Sequence, residues 1–190
     1  ASEHIEAPVA FDIAWRRNFG EGSGRGHHVT APPVAADGRL YVMDGSAQVS
    51  AIDLKSGRTV WSVDLKPSRR DEREGFGGGV AYAGGKLYVT SGYRFVARLD
   101  AATGASEWRR ETEQPIHAAP TVTAGRVMAV AIDNTLLTFE TATGAPSWTY
   151  QALSEPARIL GASTPAVSGD TVVAAFSSGE LVALRSGNGN

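Results

Sequence analysis

The sequence Asp53-Leu-Lys-Ser-Gly57-Arg-Thr-Val-Trp61 indicates a repeated fold, because its pattern occurs three times in a chain of 190 residues. The second copy is Asp100-Ala-Ala-Thr-Gly104-Ala-Ser-Glu-Trp108, and the third is Glu140-Thr-Ala-Thr-Gly144-Ala-Pro-Ser-Trp148. Trp15 occupies the place of an earlier copy, so successive tryptophans are 46, 47 and 40 residues apart. Repeats of roughly 20 to 50 residues are typical of solenoids and propellers.

The residue types of this motif suit a tight turn followed by a strand. The acid accepts backbone N–H bonds at the start of the turn, and glycine adopts a positive φ at no steric cost. On the following strand, the tryptophan ring can cover the junction between neighbouring sheets while its indole N–H donates to a carbonyl. We therefore predict structural rather than catalytic roles for the nine repeat residues, which are Asp53, Gly57, Trp61, Asp100, Gly104, Trp108, Glu140, Gly144 and Trp148.

A second pattern precedes each motif copy and indicates a β-hairpin. It consists of a small residue or proline, a valine, a glycine-containing turn and a β-rich run, at residues 31–42, 78–89, 119–130 and 164–175. The turns read Asp-Gly, Gly-Gly, Ala-Gly and Ser-Gly. A third strand follows each hairpin, and the motif then supplies a turn and a fourth strand. Four antiparallel strands in 40 to 47 residues are typical of a β-propeller blade.

The sequence therefore predicts an all-β fold, a β-propeller segment of four-stranded antiparallel blades that fills residues 1–190. The blade repeats are expected at approximately 16–61, 62–108, 109–148 and 149–190. The last repeat is incomplete, because Gly189 aligns with the turn glycine and the next tryptophan would fall beyond Asn190. The segment around Trp15 is expected to be the last strand of an earlier blade.

Composition excludes several functional classes. The chain has 18 basic and 20 acidic residues, so it lacks the positive field that attracts nucleic acid. Cysteine is absent, which excludes disulfides, thiolate metal sites and cysteine nucleophiles. No nucleophile elbow, phosphate loop, zinc-binding helix or EF-hand pattern occurs. We therefore predict no catalytic residues, no cofactor and no metal.

Residues 15–189 resemble the PQQ-like repeat propellers, whose motif Ala-x-Asp-x-x-[Ser/Thr]-Gly-x-x-x-Trp is matched best by Ala51–Trp61. Within that superfamily, the stretches Ala14–Gly20, Val49–Val63 and Trp148–Val167 are similar to the propeller lipoproteins of the outer-membrane β-barrel assembly machinery. The resemblance implies an eight-bladed, non-catalytic scaffold that is lipid-anchored on the periplasmic side of the outer membrane. Its partner would be the periplasmic domains of the barrel-insertion protein. The chain has about half of the family's blades and lacks the lipidated cysteine, as expected downstream of the anchor.

The resemblance also implies a partner-binding loop just before a Gly-x-Ser-x-Pro sequence. The matching segment, 154–161, contains Arg158, Ile159 and Leu160. Aliphatic and arginine side chains suit a protein interface. In the alternative interpretation, Ile159 and Leu160 begin the inner strand of the next blade and point into the core.

Two other functions fit repeats of this kind. One is a fragment of a PQQ-dependent quinoprotein dehydrogenase, although such enzymes typically need an adjacent cysteine pair; the other is a ligand-sensing propeller domain.

Closure of the propeller is a separate question, because four blades at the curvature of an eight-bladed ring would expose two apolar end faces. We expect either further blades in the native protein or a homodimer that pairs the free edges.

Overall fold

The computed structural model describes residues 12–19, 31–68, 75–152 and 163–190. Within these ranges the chain forms fifteen β-strands. They build four antiparallel sheets, of which three have four strands and the last has three. The described ranges contain no helix that is long and apolar enough to cross a membrane. The predicted all-β fold of four-stranded blades is confirmed.

The sheets follow the chain in order, and the strands of each sheet pair with their neighbours in sequence. Blade 1 contains β1 (Val34–Ala36), β2 (Arg39–Met43), β3 (Gln48–Asp53) and β4 (Thr59–Asp64). Blade 2 contains β5 (Gly78–Ala83), β6 (Lys86–Ser91), β7 (Phe95–Asp100) and β8 (Ser106–Glu111). Blade 3 contains β9 (Thr121–Thr123), β10 (Arg126–Val130), β11 (Thr135–Glu140) and β12 (Pro146–Gln151). Blade 4 contains β13 (Ala166–Ser168), β14 (Thr171–Ala175) and β15 (Leu181–Arg185).

A two-residue turn joins the first two strands of each blade. In blades 1 to 3 both turn residues have a positive φ, as in a type I′ turn, at Asp37–Gly38, Gly84–Gly85 and Ala124–Gly125. The Ser-Gly turn predicted for blade 4 is wrong, because Ser168 belongs to β13 and pairs with Thr171. The turn is Gly169–Asp170, and a positive φ at its glycine alone fits a type II′ turn with glycine first.

The hydrophobic core lies between the blades. Successive side chains of a strand point to opposite faces of its sheet, so β7 places Phe95 against blade 1 and Val96 against blade 3, both with no exposed area. Met128 and Leu136 of blade 3 pack in the same way against Val172 of blade 4. Blades 2 and 3 are therefore each stabilised by both of their neighbours.

The innermost strands approach one another closely at small residues. A Cβ atom on Gly79, in β5, would lie 2.8 Å from the Cβ of Ala31 and 2.7 Å from that of Ala119. These two residues precede the inner strands of blades 1 and 3. Because Cβ atoms do not pack at such distances, only glycine allows the three blades to meet here.

The two ends of the propeller carry different kinds of loop. In each blade, the turns from the first strand to the second and from the third to the fourth lie at one end, which we call the turn end. The loops from the second strand to the third and the connections between blades lie at the other, which we call the connection end. This separation follows from the antiparallel order of the strands.

Candidate functional site

Each repeat tryptophan packs on the motif turn of the blade that follows. The indole Nε1 atoms of Trp15, Trp61, Trp108 and Trp148 donate to the carbonyl oxygens of Leu54, Ala101, Thr141 and Ser186, at 2.9, 3.1, 3.0 and 3.3 Å. The rings lie over the turn glycines, and a Cβ atom on Gly144 would be 2.7 Å from the Trp108 ring. We call this combination of indole, carbonyl and glycine the tryptophan clasp.

The acid at the start of the motif holds the receiving turn in shape. Asp53 Oδ1 accepts from the backbone N and the hydroxyl of Ser56, at 2.7 and 2.6 Å. Asp100 Oδ1 accepts the same two kinds of bond from Thr103. The Ser56 hydrogen bonds lower the pKa of Asp53. Hydrogen bonds from Lys86 and Thr103 lower the pKa of Asp100 to about 2. Both carboxylates are therefore ionised at neutral pH.

The third copy of the motif is built differently at its acid. The longer Glu140 side chain pairs with Arg126 at 3.7 Å. The backbone of the turn is nevertheless the same, since the amide of Gly144 donates to the Glu140 carbonyl at 2.8 Å. The nine predicted repeat residues thus lie in separate clasps at the turn end and do not converge on one site.

The predicted partner-binding residues Arg158, Ile159 and Leu160 lie outside the described residues. The described residues on either side are held by hydrogen bonds at the connection end. The Ala152 amide donates to the carbonyl of Asn134 at 3.1 Å, and the Ser163 hydroxyl donates to the Ala175 carbonyl at 2.6 Å.

Asn134 also links the two blades that flank this segment. Its side-chain oxygen accepts from the amide and the hydroxyl of Ser177, at 3.1 and 2.8 Å. Asn134 lies in the β10–β11 loop and Ser177 follows β14, so the bond joins blade 3 to blade 4. The described residues on both sides of the segment are therefore held in place by hydrogen bonds.

A cleft of about 440 Å³ opens between blades 2 and 3, and its lining extends from Glu113 and Asp133 at the connection end along β11 and β12 to Phe139 and Pro146. Glu113 and Asp133 are acidic residues of its lining, and Leu137 contributes an apolar surface. Sequence reasoning missed this cleft, because the residues that leave the space open belong to no motif. Aligning the positions next to the repeat tryptophans would have shown that Arg109 in blade 2 is replaced by Thr149 in blade 3.

Metal-ligating side chains do not gather in the described ranges, where no three of His, Cys, Asp and Glu are placed to hold an ion. His117 lies just before blade 3, and its ring centroid is 4.4 Å from that of Phe76. Burial lowers the pKa of His117. Its imidazole is therefore neutral at pH 7.

Comparison with known proteins finds similarity to one family along most of the chain. The family model described as outer membrane protein assembly factor BamB matches residues 12–68 and 45–190. The BamB of Burkholderia pseudomallei is 31% identical over 163 residues, which cover 85% of this chain and 41% of that protein. The chain spans less than half the length of the curated relatives it matches.

Solved structures with the same fold include an assembly factor and an enzyme. The crystal structure of BamB from Moraxella catarrhalis matches with a TM-score of 0.64 and 23% identity, over 86% of this chain and 48% of that one. The quinohemoprotein alcohol dehydrogenase of Comamonas testosteroni matches with a TM-score of 0.57 and 29% identity, over 65% of this chain and 21% of the enzyme. The resemblance inferred from the tryptophan motif is confirmed, and the chain belongs to the PQQ-like repeat family of the outer membrane protein assembly factor BamB.

Proposed function

We propose that this chain is part of a non-catalytic scaffold that assists the insertion of β-barrel proteins into the outer membrane. The observation that carries the proposal is the match to the BamB family model along residues 12–190. Under this proposal the protein acts on the periplasmic side of the outer membrane, where a lipid anchor holds the full-length protein. Because the chain covers only 41% of its Burkholderia relative, the proposed role is that of the whole protein.

A scaffold of this kind needs a rigid frame that presents a loop to its partner. The frame is supplied by the tryptophan clasps at the turn end and by the bonds between blades at the connection end. We propose that Arg158, Ile159 and Leu160 contact the periplasmic domains of the barrel-insertion protein. Arginine is enriched among the residues that carry most of the binding energy of an interface, and aliphatic side chains suit its apolar core.

A pull-down with the purified periplasmic domains tests this assignment. The variant Arg158→Glu/Ile159→Ser/Leu160→Ser should lose binding, because both the anchors and the positive charge are removed. A matched control is Arg58→Glu/Val60→Ser/Leu54→Ser, since Val60 and Leu54 are 46% and 44% exposed at or near the turn end. We expect the control to bind as the parent does.

Folding of the variants separates the two interpretations of the loop. If the triple variant unfolds by circular dichroism, Ile159 and Leu160 belong to the core strand, as in the alternative. The single variant Arg158→Glu then becomes the decisive one, because a surface arginine can be reversed in charge at little cost to folding. Unchanged binding of a folded Arg158→Glu protein would contradict a role for this arginine in the loop.

A fragment of a quinoprotein dehydrogenase is the second candidate, and the 29% identity to the Comamonas enzyme favours it. The lack of cysteine counts against it, because enzymes of that class typically need an adjacent cysteine pair. Adding pyrroloquinoline quinone and calcium to the purified chain should leave the absorbance of the quinone unchanged. A saturable spectral shift would favour the dehydrogenase over the scaffold.

Closure with further blades or with a second copy stays a prediction. Sedimentation equilibrium tests it directly, because the chain alone has a mass of 19.9 kDa. A dimer would support pairing of the free blade edges. A stable monomer, encoded by a gene with no additional blades, would contradict both forms of the prediction.

A further inference from the structure

The internal repeat allows the same two positions to be compared from blade to blade. The first is the residue after the tryptophan, which is Ser62 in blade 1, Arg109 in blade 2 and Thr149 in blade 3. The second is the first residue of the third strand, which is Gln48, Phe95 or Thr135. The strand registers are equivalent, since Arg109 pairs with Ala97 and Thr149 pairs with Leu137. In blades 2 and 3 both positions face the preceding blade.

At the junction of blades 1 and 2, large side chains fill the space at the connection end. The guanidinium carbon of Arg109 lies 3.8 Å from the centroid of the Phe95 ring. Its Nη1 atom donates to the carbonyl oxygen of Leu65 at 2.9 Å. Leu65 is the residue directly after β4, so the arginine bridges from blade 2 to the connection that leaves blade 1.

At the junction of blades 2 and 3, the same space is open. Thr135 and Thr149 replace the phenylalanine and the arginine, and both line the 440 Å³ cleft. Thr112 is the counterpart of Leu65, because each follows the fourth strand of its blade and donates its amide to the loop between the second and third strands, at 2.9 and 3.2 Å. Thr112 also lines the cleft. It corresponds to Leu65, whose carbonyl oxygen accepts from Arg109 at the preceding junction, whereas the residue equivalent to Arg109 is here Thr149.

The charges of the cleft complement a cation. Glu113 and Asp133 line it, and no lysine or arginine of the described chain does. Glu111 lies at its edge, but this residue pairs with Phe95, so its side chain is on the face of β8 that carries Arg109. Arg94 and Arg109 line a separate depression of about 180 Å³ that shares Glu111 and Glu113. Neither glutamate forms an ion pair within the described ranges.

We propose that this cleft binds an arginine side chain from an extended segment of a partner protein, in the place that Arg109 fills one blade earlier. The carboxylates of Glu113 and Asp133 accept the guanidinium N–H bonds, for which a planar fork is better suited than an ammonium group. Leu137 packs against the methylene groups of the arginine. The inference does not depend on the proposed role in outer-membrane assembly.

Titration of the ¹⁵N-labelled chain with two peptides tests the inference. The first peptide is acetyl-Gly-Ser-Arg-Ser-Gly-amide, and the second carries citrulline, which has the shape of arginine without its charge. We expect saturable shifts of the Thr112, Glu113 and Thr149 amides with the arginine peptide, and binding weaker by about tenfold or more with citrulline. Equal affinities for the two peptides, or shifts confined to other blades, would overturn the proposal.

A substitution copied from blade 2 gives a sharper test. Thr149→Arg supplies the arginine from within the chain, so it should fill the cleft and reduce peptide affinity by about tenfold or more. Thr59→Arg is the matched control, because Thr59 is exposed on β4 and lies outside the cleft. It adds the same charge and should bind the peptide as the parent does.

Two exposed carboxylates keep the inference testable if Thr149→Arg does not fold. Glu113 and Asp133 are exposed, so the variant Glu113→Gln/Asp133→Asn should keep the fold of the parent. We expect it to lose about tenfold in affinity for the arginine peptide and to bind the citrulline peptide as before. Full affinity of either variant for the arginine peptide contradicts the proposed site.

Discussion

The junction between blades 1 and 2 and the junction between blades 2 and 3 are alike at one end and different at the other. At the turn end, Trp61 and Trp108 donate to equivalent carbonyl oxygens at 3.1 and 3.0 Å. At the connection end, Arg109 fills the first junction, whereas Thr149 leaves the second open. The repeat therefore specifies how blades attach at the turn end and leaves the connection end free to vary.

Removing a clasp tryptophan should have the largest effect. Trp108 is only 8% exposed, so Trp108→Ala should lower the free energy of unfolding by about 3 to 5 kcal/mol, as for other buried aromatic residues. Trp61 is only partly buried, and Trp61→Ala should cost less. Urea denaturation followed by circular dichroism measures both values. Similar small losses in the two variants would show that the clasp does not hold the blades together.

Two glycines with nearly the same backbone geometry separate ring contact from backbone strain. Gly144 and Gly125 have φ values of 69° and 73°, and alanine in this region costs about 1 to 2 kcal/mol. A Cβ atom at Gly144 would also be 2.7 Å from the Trp108 ring, whereas none lies within 4 Å at Gly125. Gly144→Ala should therefore be more destabilising than Gly125→Ala by about 1 to 3 kcal/mol, measured by the same denaturation assay. Equal losses would mean that the ring moves aside freely.

Substitutions of Arg109 and Thr149 compare how much the connection end of each junction contributes to stability. Arg109→Ala removes a hydrogen bond to Leu65 and a cation–π contact with Phe95, so we expect a loss of about 1 to 2 kcal/mol. Thr149 is exposed, and Thr149→Ala should change stability by less than about 0.5 kcal/mol. Thermal melting of the two variants measures the difference. If both leave the melting temperature unchanged, the filled junction is no more stable than the open one.

The smallest expected effect concerns the stability of the fold at low pH. The pKa of Asp100 is lowered to about 2 by Lys86 and Thr103, while the unfolded chain retains the ordinary value of 3.8. The carboxylate therefore stabilises the fold above about pH 4, and this contribution is lost as the pH falls towards 2. Asp100→Asn should show a shallower decline of the urea midpoint over that interval than the parent. An identical decline would exclude a role for Asp100 in the acid sensitivity of the turn that receives Trp61.

The sequence was sufficient to predict the blades because their signals are local. Turn glycines, alternating strands and the spacing from Gly57 to Trp61 act within a few residues, and the strands lie where these signals placed them. The Ser-Gly turn of blade 4 was wrong by one residue, since a type I′ and a type II′ turn place glycine differently and both fit Ser168-Gly169-Asp170.

The cleft could not be predicted in the same way. It depends on Thr135, Thr149 and Glu113, which come from three segments and meet only when blades 2 and 3 are packed together. No local pattern marks a side chain that is too short to fill a space. The loop with Arg158, Ile159 and Leu160 was inferred from a resemblance, and its role stays a prediction.

The tryptophan clasp has a consequence for the order in which the propeller is made. Each indole precedes its receiving carbonyl by 33 to 40 residues in the chain. During synthesis at about 5 to 20 residues per second, a newly made tryptophan therefore waits about 2 to 8 seconds for the turn that receives it. Every blade is completed by its successor, and assembly has a direction from the first blade to the last.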